Sequence, residues 1–241
     1  MCGRYSLTTP VESVARLFGV DERPNLAPRW NIAPTQEVLA VRLAADGTRR
    51  FASLVWGLVP AWSNDPGTSG RLIHARADTV AVKPSFRAAF RQRRCLMVAD
   101  AFYEWQERPD GNLPWRITLA PGPDGVAPPF AFAGLWERRA ARDGLPALET
   151  CALVTTGANA QLAPIHHRMP VILPPDSHAA WLDPATPLPA LLSMLRPYAG
   201  AMAAARISTR INSPRNEGPE VLAPPAPDET DRPAGPQLRL L

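Results

Sequence analysis

Short apolar runs separated by proline- and glycine-rich breaks dominate the chain. The runs at 37–43 (EVLAVRL), 50–56 (RFASLVW), 94–100 (RCLMVAD), 115–119 (WRITL), 130–135 (FAFAGL), 149–156 (ETCALVTT) and 170–173 (PVIL) have the β-branched and aromatic content of strands. Thr9, Pro10 and Glu12 have the spacing of a capping box with proline at the first helical position, which predicts a helix through Phe18. A second helix is predicted over 85–93. Two helices among so many strands are too few for repeated βαβ units, so the expected class is α+β, with hairpins and a long-range sheet. Prolines cluster at 121–129, 173–175 and 223–236, and the last cluster reads as a disordered tail.

A length of 241 residues with 46% hydrophobic content suits one domain with a sizeable core. The longest apolar stretch, 52–62, is shorter than the roughly 18 residues that span a bilayer. No cationic region followed by an apolar core and cleavage site opens the chain, so the expected location is the cytoplasm, away from any membrane. The cysteines at 2, 95 and 151 form no CxxC pair and leave one over from any disulfide, which argues against a metal site and against a secreted scaffold. Net charge is +4, but Lys83 is the single lysine among 26 basic residues. That bias has two readings: GC-rich coding, or guanidinium forks selected for phosphate oxygens.

Chemistry enters at position 2. Initiator methionine is removed when the next residue is small, and MCGRY would then begin at Cys2, with a free α-amine and a thiol on one residue. Their reference pKa values, about 7.7–8.0 and about 8.5, leave both partly deprotonated near neutrality. A 1,2-aminothiol condenses with an aldehyde to an imine and closes to a five-membered thiazolidine; the plain alternative is a frayed terminus. Glu104 lies among aromatics in AFYEW. Burial there raises a carboxyl pKa and suits acid–base work. The alternative is an exposed Glu on an amphipathic strand that shares a face with Phe102, opposite Tyr103 and Trp105. His166, His167 and Arg168 stand between two prolines before an apolar strand. Arg76, Lys83, Arg87, Arg91, Arg93 and Arg94 are interleaved with Phe86 and Phe90, the mixture that holds single strands, or else a solvated helix face over two core rings. Trp56 and Trp62 are core residues by default and stacking platforms by option.

Taken in order, MCGRY, NIAPTQ (31–36), WGLVPAW (56–62), HARADT (74–79), KPSFR (83–87), RRCLMVADAFYEW (93–105), FAFAGLWE (130–137), TTGAN (155–159), IHHRMPVIL (165–173) and NSPRNEGPE (212–220) resemble the motif series of the SRAP family, the abasic-site-processing proteins first named SOS response-associated peptidases. The likeness covers 2–222 as one domain and leaves 223–241 as a tail. It implies an α+β fold round a barrel-like mixed sheet, with a basic groove for single-stranded DNA that contains abasic sites. It also implies a covalent crosslink through Cys2, with Glu104 and His166 as acid–base partners and His74 as a further catalytic residue. Arg4, Asn31, Arg76, Thr155 and Arg168 become the DNA-binding set. A monomer without metal or cofactor is expected, with replication proteins as further candidate partners. The chain departs from the family pattern at His74, where Asn is usual, at Asp78, and at Ala101 in place of Gly. An imidazole at 74 introduces a titration near its reference value of about 6.5, or packs against Trp62 or Phe86. An N-terminal-nucleophile peptidase using Cys2 and His166, and a non-covalent binder of single strands, are the rival classes.

Overall fold

Strand β6 (Arg94–Ala99) is buried at every position, because both of its edges and both of its faces are covered. The computed structural model that shows this describes residues 2–63, 72–109, 111–141, 144 and 146–226. Beside β6 lie β3 (Glu37–Leu43) and β9 (Phe130–Arg139), both antiparallel to it. From β3 the pairing continues to β4 (Arg49–Trp56), then in parallel to β10 (Leu148–Gly157), which returns to β9. These strands therefore close on themselves, the form taken by the expected barrel-like sheet. The short strands β5 (His74–Arg76), β11 (Arg168–Pro170) and β12 (Ile172–Leu173) extend this eight-stranded sheet.

A second sheet of five strands runs in the order β13 (Met202–Arg206), β8 (Leu113–Leu119), β7 (Ala101–Gln106), β1 (Arg4–Leu7) and β2 (Arg29–Ile32), all antiparallel. Helices are few and short: α1 (Val11–Phe18), α2 (Arg87–Gln92), α3 (His178–Leu182) and α4 (Leu188–Met194). None is long and apolar enough to cross a membrane. The class is α+β. Tyr5 of β1 sits edge-on to Trp56 and Phe132 at 5.3 and 5.6 Å, joining the two sheets through one aromatic cluster.

Between β6 and β7 the chain passes from one sheet to the other through one residue, Asp100. Its carboxylate accepts hydrogen bonds from the Ser6 hydroxyl (2.6 Å), the Thr8 amide and hydroxyl (2.5 and 2.8 Å) and the Thr9 amide and hydroxyl (2.9 and 3.2 Å). Thr9 is thus committed to Asp100. The expected capping box does not form: Pro10 is the cap residue of α1, and no side chain caps it. Of the strands that the pattern missed, β1, β2, β5 and β13 are short and polar or alanine-rich, and their neighbours' ladders hold them rather than their own hydrophobicity. Glu104 shares β7 with Phe102 and Tyr103, and all three are buried, so neither face of that segment is the solvated one. Phe86 and Phe90 are core residues, as is Trp56, while Trp62 is 66% exposed. Arg94 lies in the core, its guanidinium donating to the carbonyls of Phe90, Arg91, Trp181 and Asp183 at the ends of α2 and α3. The tail expected from 223 is described only to Ala226; 227–241 lie outside the described residues.

Asp100→Ala is expected to cost about 3 kcal/mol, the scale for removing a buried acceptor of charge-assisted hydrogen bonds. Chemical denaturation checks it, with Asp100→Asn losing less because one oxygen can still accept.

Candidate functional site

β1 runs between β2 and β7, in register Arg4 opposite Tyr103, and this carries the start of the chain inward: Cys2 is 1% exposed. Its thiol donates to the Arg4 carbonyl at 3.6 Å. Glu104, one residue past Tyr103, is 2% exposed, and burial pushes its carboxyl up to about 7. The backbone at Cys2 and Trp105 pulls in the opposite direction. Cys2 and Glu104 are therefore buried neighbours, each shifting the other's pKa. Burial raises the Cys2 thiol well above its ordinary value, and the adjacent Glu104 charge raises it further.

His74 approaches from the other sheet. β5 pairs in parallel with β10, placing His74 opposite Leu153. Its Nε2 lies 2.7 Å from the Cys2 carbonyl oxygen, which can only accept, so the neutral ring carries its proton on Nε2. Burial lowers its pKa to about 4, with Arg168 and His166 adding to the depression and the Cys2 hydrogen bond opposing it. The ring packs edge-on to Trp56 at 6.5 Å, not against Trp62 or Phe86, and the titration expected near 6.5 is displaced out of the neutral range.

The end of β10 lies between β5 and β11, so Thr155 faces Arg76 on one side and Pro170 on the other. Arg168 Nη2 donates to the Thr155 carbonyl at 2.9 Å and hydroxyl at 2.5 Å. Arg76 is exposed and held in a two-point ion pair with Asp78, Nε–Oδ1 3.1 Å and Nη2–Oδ2 2.6 Å. His166 Nδ1 lies 3.0 Å from the Arg168 amide and 3.1 Å from the Arg168 carbonyl, so the ring is held against the Arg168 backbone. Its ring stacks on His167 with centroids 4.3 Å apart, and burial lowers its pKa. Cys2 and Glu104 thus form a buried pair with the half-buried His74 against Cys2, and His166, Arg168, Thr155 and Arg76 are beside them.

Arg4 and Asn31 are engaged elsewhere. Arg4 donates to the Asn31 side-chain oxygen (2.8 Å) and to the carbonyls of Ile211 (2.9 Å) and Asn212 (3.1 Å). The Asn31 amide donates to Ser213 (2.9 Å) and Asn216 (2.8 Å). Glu217 accepts from the backbone amides of Trp30 and Asn31, and the Trp105 indole donates to the Asn212 side chain at 2.7 Å. The NSPRNEGPE segment is a strap tied across β1 and β2. Sequence reasoning quoted that motif without a role for Glu217 or Trp105; the run of polar residues between two prolines was the available signal.

A family model described as SOS response associated peptidase (SRAP) matches residues 1–214. The chain belongs to that family. Among its SRAP relatives, Abasic site processing protein YoqW of Bacillus subtilis (strain 168) is 38% identical over 229 residues, which cover 92% of this chain and 99% of that protein. Abasic site processing protein HMCES of Gallus gallus is 32% identical over 204 residues, covering 76% and 60% respectively. A crystal structure of a protein from Bacteroides thetaiotaomicron has the same fold, with a TM-score of 0.81 at 23% identity over 93% of this chain and 100% of that one.

The raised carboxyl has a stability consequence that can be measured. Unfolded, Glu104 ionises near 4.5; folded, it does so near 7. Its favourable contribution is complete below pH 4.5 and is lost as pH rises through 7, leaving a deficit of about 3 kcal/mol in alkaline solution. Glu104→Gln is therefore expected to raise Tm relative to the parent at pH 8 and to give no such gain at pH 4. Parallel shifts at both pH values would contradict this.

Proposed function

We propose that this SRAP protein processes abasic sites in single-stranded DNA by a covalent thiazolidine crosslink at Cys2, after removal of Met1. The observation that carries the reading is the burial of Cys2 beside Glu104, a buried carboxyl pushed up to about 7. Once Met1 is gone, the Cys2 nitrogen is a primary amine next to a group suited to acid–base work.

An abasic deoxyribose exists partly as the ring-opened aldehyde. The Cys2 amine adds to C1′, and the carbonyl oxygen takes a proton to give a carbinolamine. Glu104 in its acid form delivers a proton to the hydroxyl, which leaves as water while the nitrogen lone pair forms the iminium. The sulfur then adds to C1′ and its proton passes to the Glu104 carboxylate. The sum is aldehyde plus aminothiol giving thiazolidine plus one water, with no change of oxidation state. A thiol with a high pKa suits this order, since it stays protonated until the adjacent carboxylate takes the proton. His166 is assigned the proton transfers at the sugar ring oxygen that open the ring. Arg168, Thr155 and Arg76 are assigned to the flanking phosphates, Arg76 exchanging Asp78 for a phosphate oxygen.

His74 is assigned a positioning role, because its Nε2–H fixes the Cys2 carbonyl and hence the direction of the amine. Arg4 and Asn31 act in the same sense. Their hydrogen bonds to the strap favour anchoring β1 over direct phosphate contact.

Incubating the mature protein with an abasic oligonucleotide tests the reading: a heat-stable shifted band is expected, a cut peptide would favour proteolysis, and a salt-labile shift alone would favour simple binding. Cys2→Ala is expected to abolish the stable band while binding undamaged single strands nearly as the parent does. The crosslinking rate is expected to inflect near pH 7, and Glu104→Gln to lose that inflection along with about a hundred-fold in rate, the low end of about 10²–10⁴ for a positioned acid–base group. His74→Asn should keep the parent's profile between about pH 5.5 and 8, since a ring with a pKa near 4 is neutral throughout. A profile that changes there would return His74 to the proton-transfer steps.

A further inference from the structure

With Phe86 and Phe90 in the core, the basic segment after Lys83 presents cations alone. Lys83, Arg87 and Arg91 follow one another at four-residue intervals along α2 and the turn that opens it, where the Arg87 amide donates to the Lys83 carbonyl at 2.9 Å. Successive members are about 6 Å apart along the axis and share one face. All three are exposed. Arg29, Arg42, Arg50, Arg76 and Arg93 each pair with a carboxylate, and Arg4 and Arg94 are spent on backbone carbonyls. Arg87 and Arg91 have neither kind of partner among the described residues. Like charges at this spacing repel one another along a helix face, a small local cost that an anionic partner removes.

The line also continues from the site. Thr79 and Val80 amides donate to the Arg76 carbonyl at 3.1 and 2.8 Å, and Val82 and Lys83 amides to the Thr79 carbonyl at 3.1 and 2.9 Å, so one pair of turns leads from Arg76 to Lys83. Between this turn and α2 lies a concavity of about 490 Å³ lined by Ala81, Val82, Arg87, Ala88, Arg91 and Gln92, with Val82 69% exposed at its rim. We propose that the α2 face is a second contact for the phosphate backbone of DNA, taking the part of the strand that runs on from the nucleotide held at Cys2. This rests on the DNA reading above and adds a path for the flanking strand.

The test uses the Cys2→Ala protein, so that covalent chemistry plays no part, and adds Arg87→Gln with Arg91→Gln. Anisotropy titrations follow two undamaged single strands over a salt series: a short one confined to the site and a longer one extended on both sides. The expected result is a long-strand slope of log affinity against log salt that flattens by about 1.4, or ~0.7 for each lost phosphate contact, with the short strand unaffected. An unchanged slope on the long strand, or equal flattening on both strands, overturns the second contact. Failure of the Cys2→Ala parent to bind either strand overturns it together with the DNA reading, which keeps the two failures distinct. A melting curve matching the parent's verifies that the two exposed substitutions leave the fold intact.

Discussion

A carboxyl group held out of water against the first residues of the chain is the constraint on which the rest of the arrangement depends. Chain starts are ordinarily frayed, because nothing returns the entropy lost on ordering them. Here β1 is laid between β2 and β7, and its end is pinned by the Asp100 carboxylate. Arg4 is clamped by the strap from the far end of the chain, and the Cys2 carbonyl is held by His74. Each of these costs backbone freedom, and together they place one nitrogen and one sulfur beside Glu104. Without that enclosure the carboxyl would ionise near its ordinary value and have no proton to give at neutral pH.

The arginines divide by the same logic of solvation. Those inside the fold are satisfied by carbonyls, as with Arg94 at two helix ends and Arg4 at the strap, which removes the penalty of a buried unpaired charge. Arg168 is half committed, giving one nitrogen to Thr155. Arg76 stands at the surface, held by Asp78 in the fork geometry that a phosphate would also take. The carboxylate keeps the guanidinium oriented at little cost, since an exposed pair of this kind contributes at most about 1 kcal/mol and is readily exchanged.

Much of this was legible in the chain. Strand β3 was read at its true bounds, and β4, β6, β8, β9 and β10 were located, because each is a run of apolar or β-branched residues with its own signal. β1 and β5 were not read as strands. RYSL and HAR have no hydrophobic period, and only their ladder partners make them strands. The Thr9 capping box was plausible locally and lost to a stronger acceptor 91 residues away in sequence. The burial of Glu104 is legible in its aromatic neighbours, Tyr103 and Trp105. The depth of His74 was not readable, since a histidine's pKa depends on which groups fold over it, and those come from β1, β4, β10 and β11. Arg4 and Asn31 stand as DNA contacts only through the family likeness, and apart from the bond between them their partners are backbone carbonyls of the strap, which leave no trace in a sequence.

The composition makes one measurement unusually decisive. Lys83 is the single lysine, so the amino terminus and Lys83 are the only primary amines able to condense with an abasic aldehyde. Intact-mass and peptide-mapping spectrometry of the mature protein after reaction with an abasic oligonucleotide reads out which one does so. The account predicts one adduct, on the peptide that begins at Cys2, with a mass equal to protein plus DNA less one water and stable to borohydride, as a closed thiazolidine is. An adduct mapped to Lys83, or one at Cys2 that borohydride reduces and that therefore remains an open imine, would contradict it.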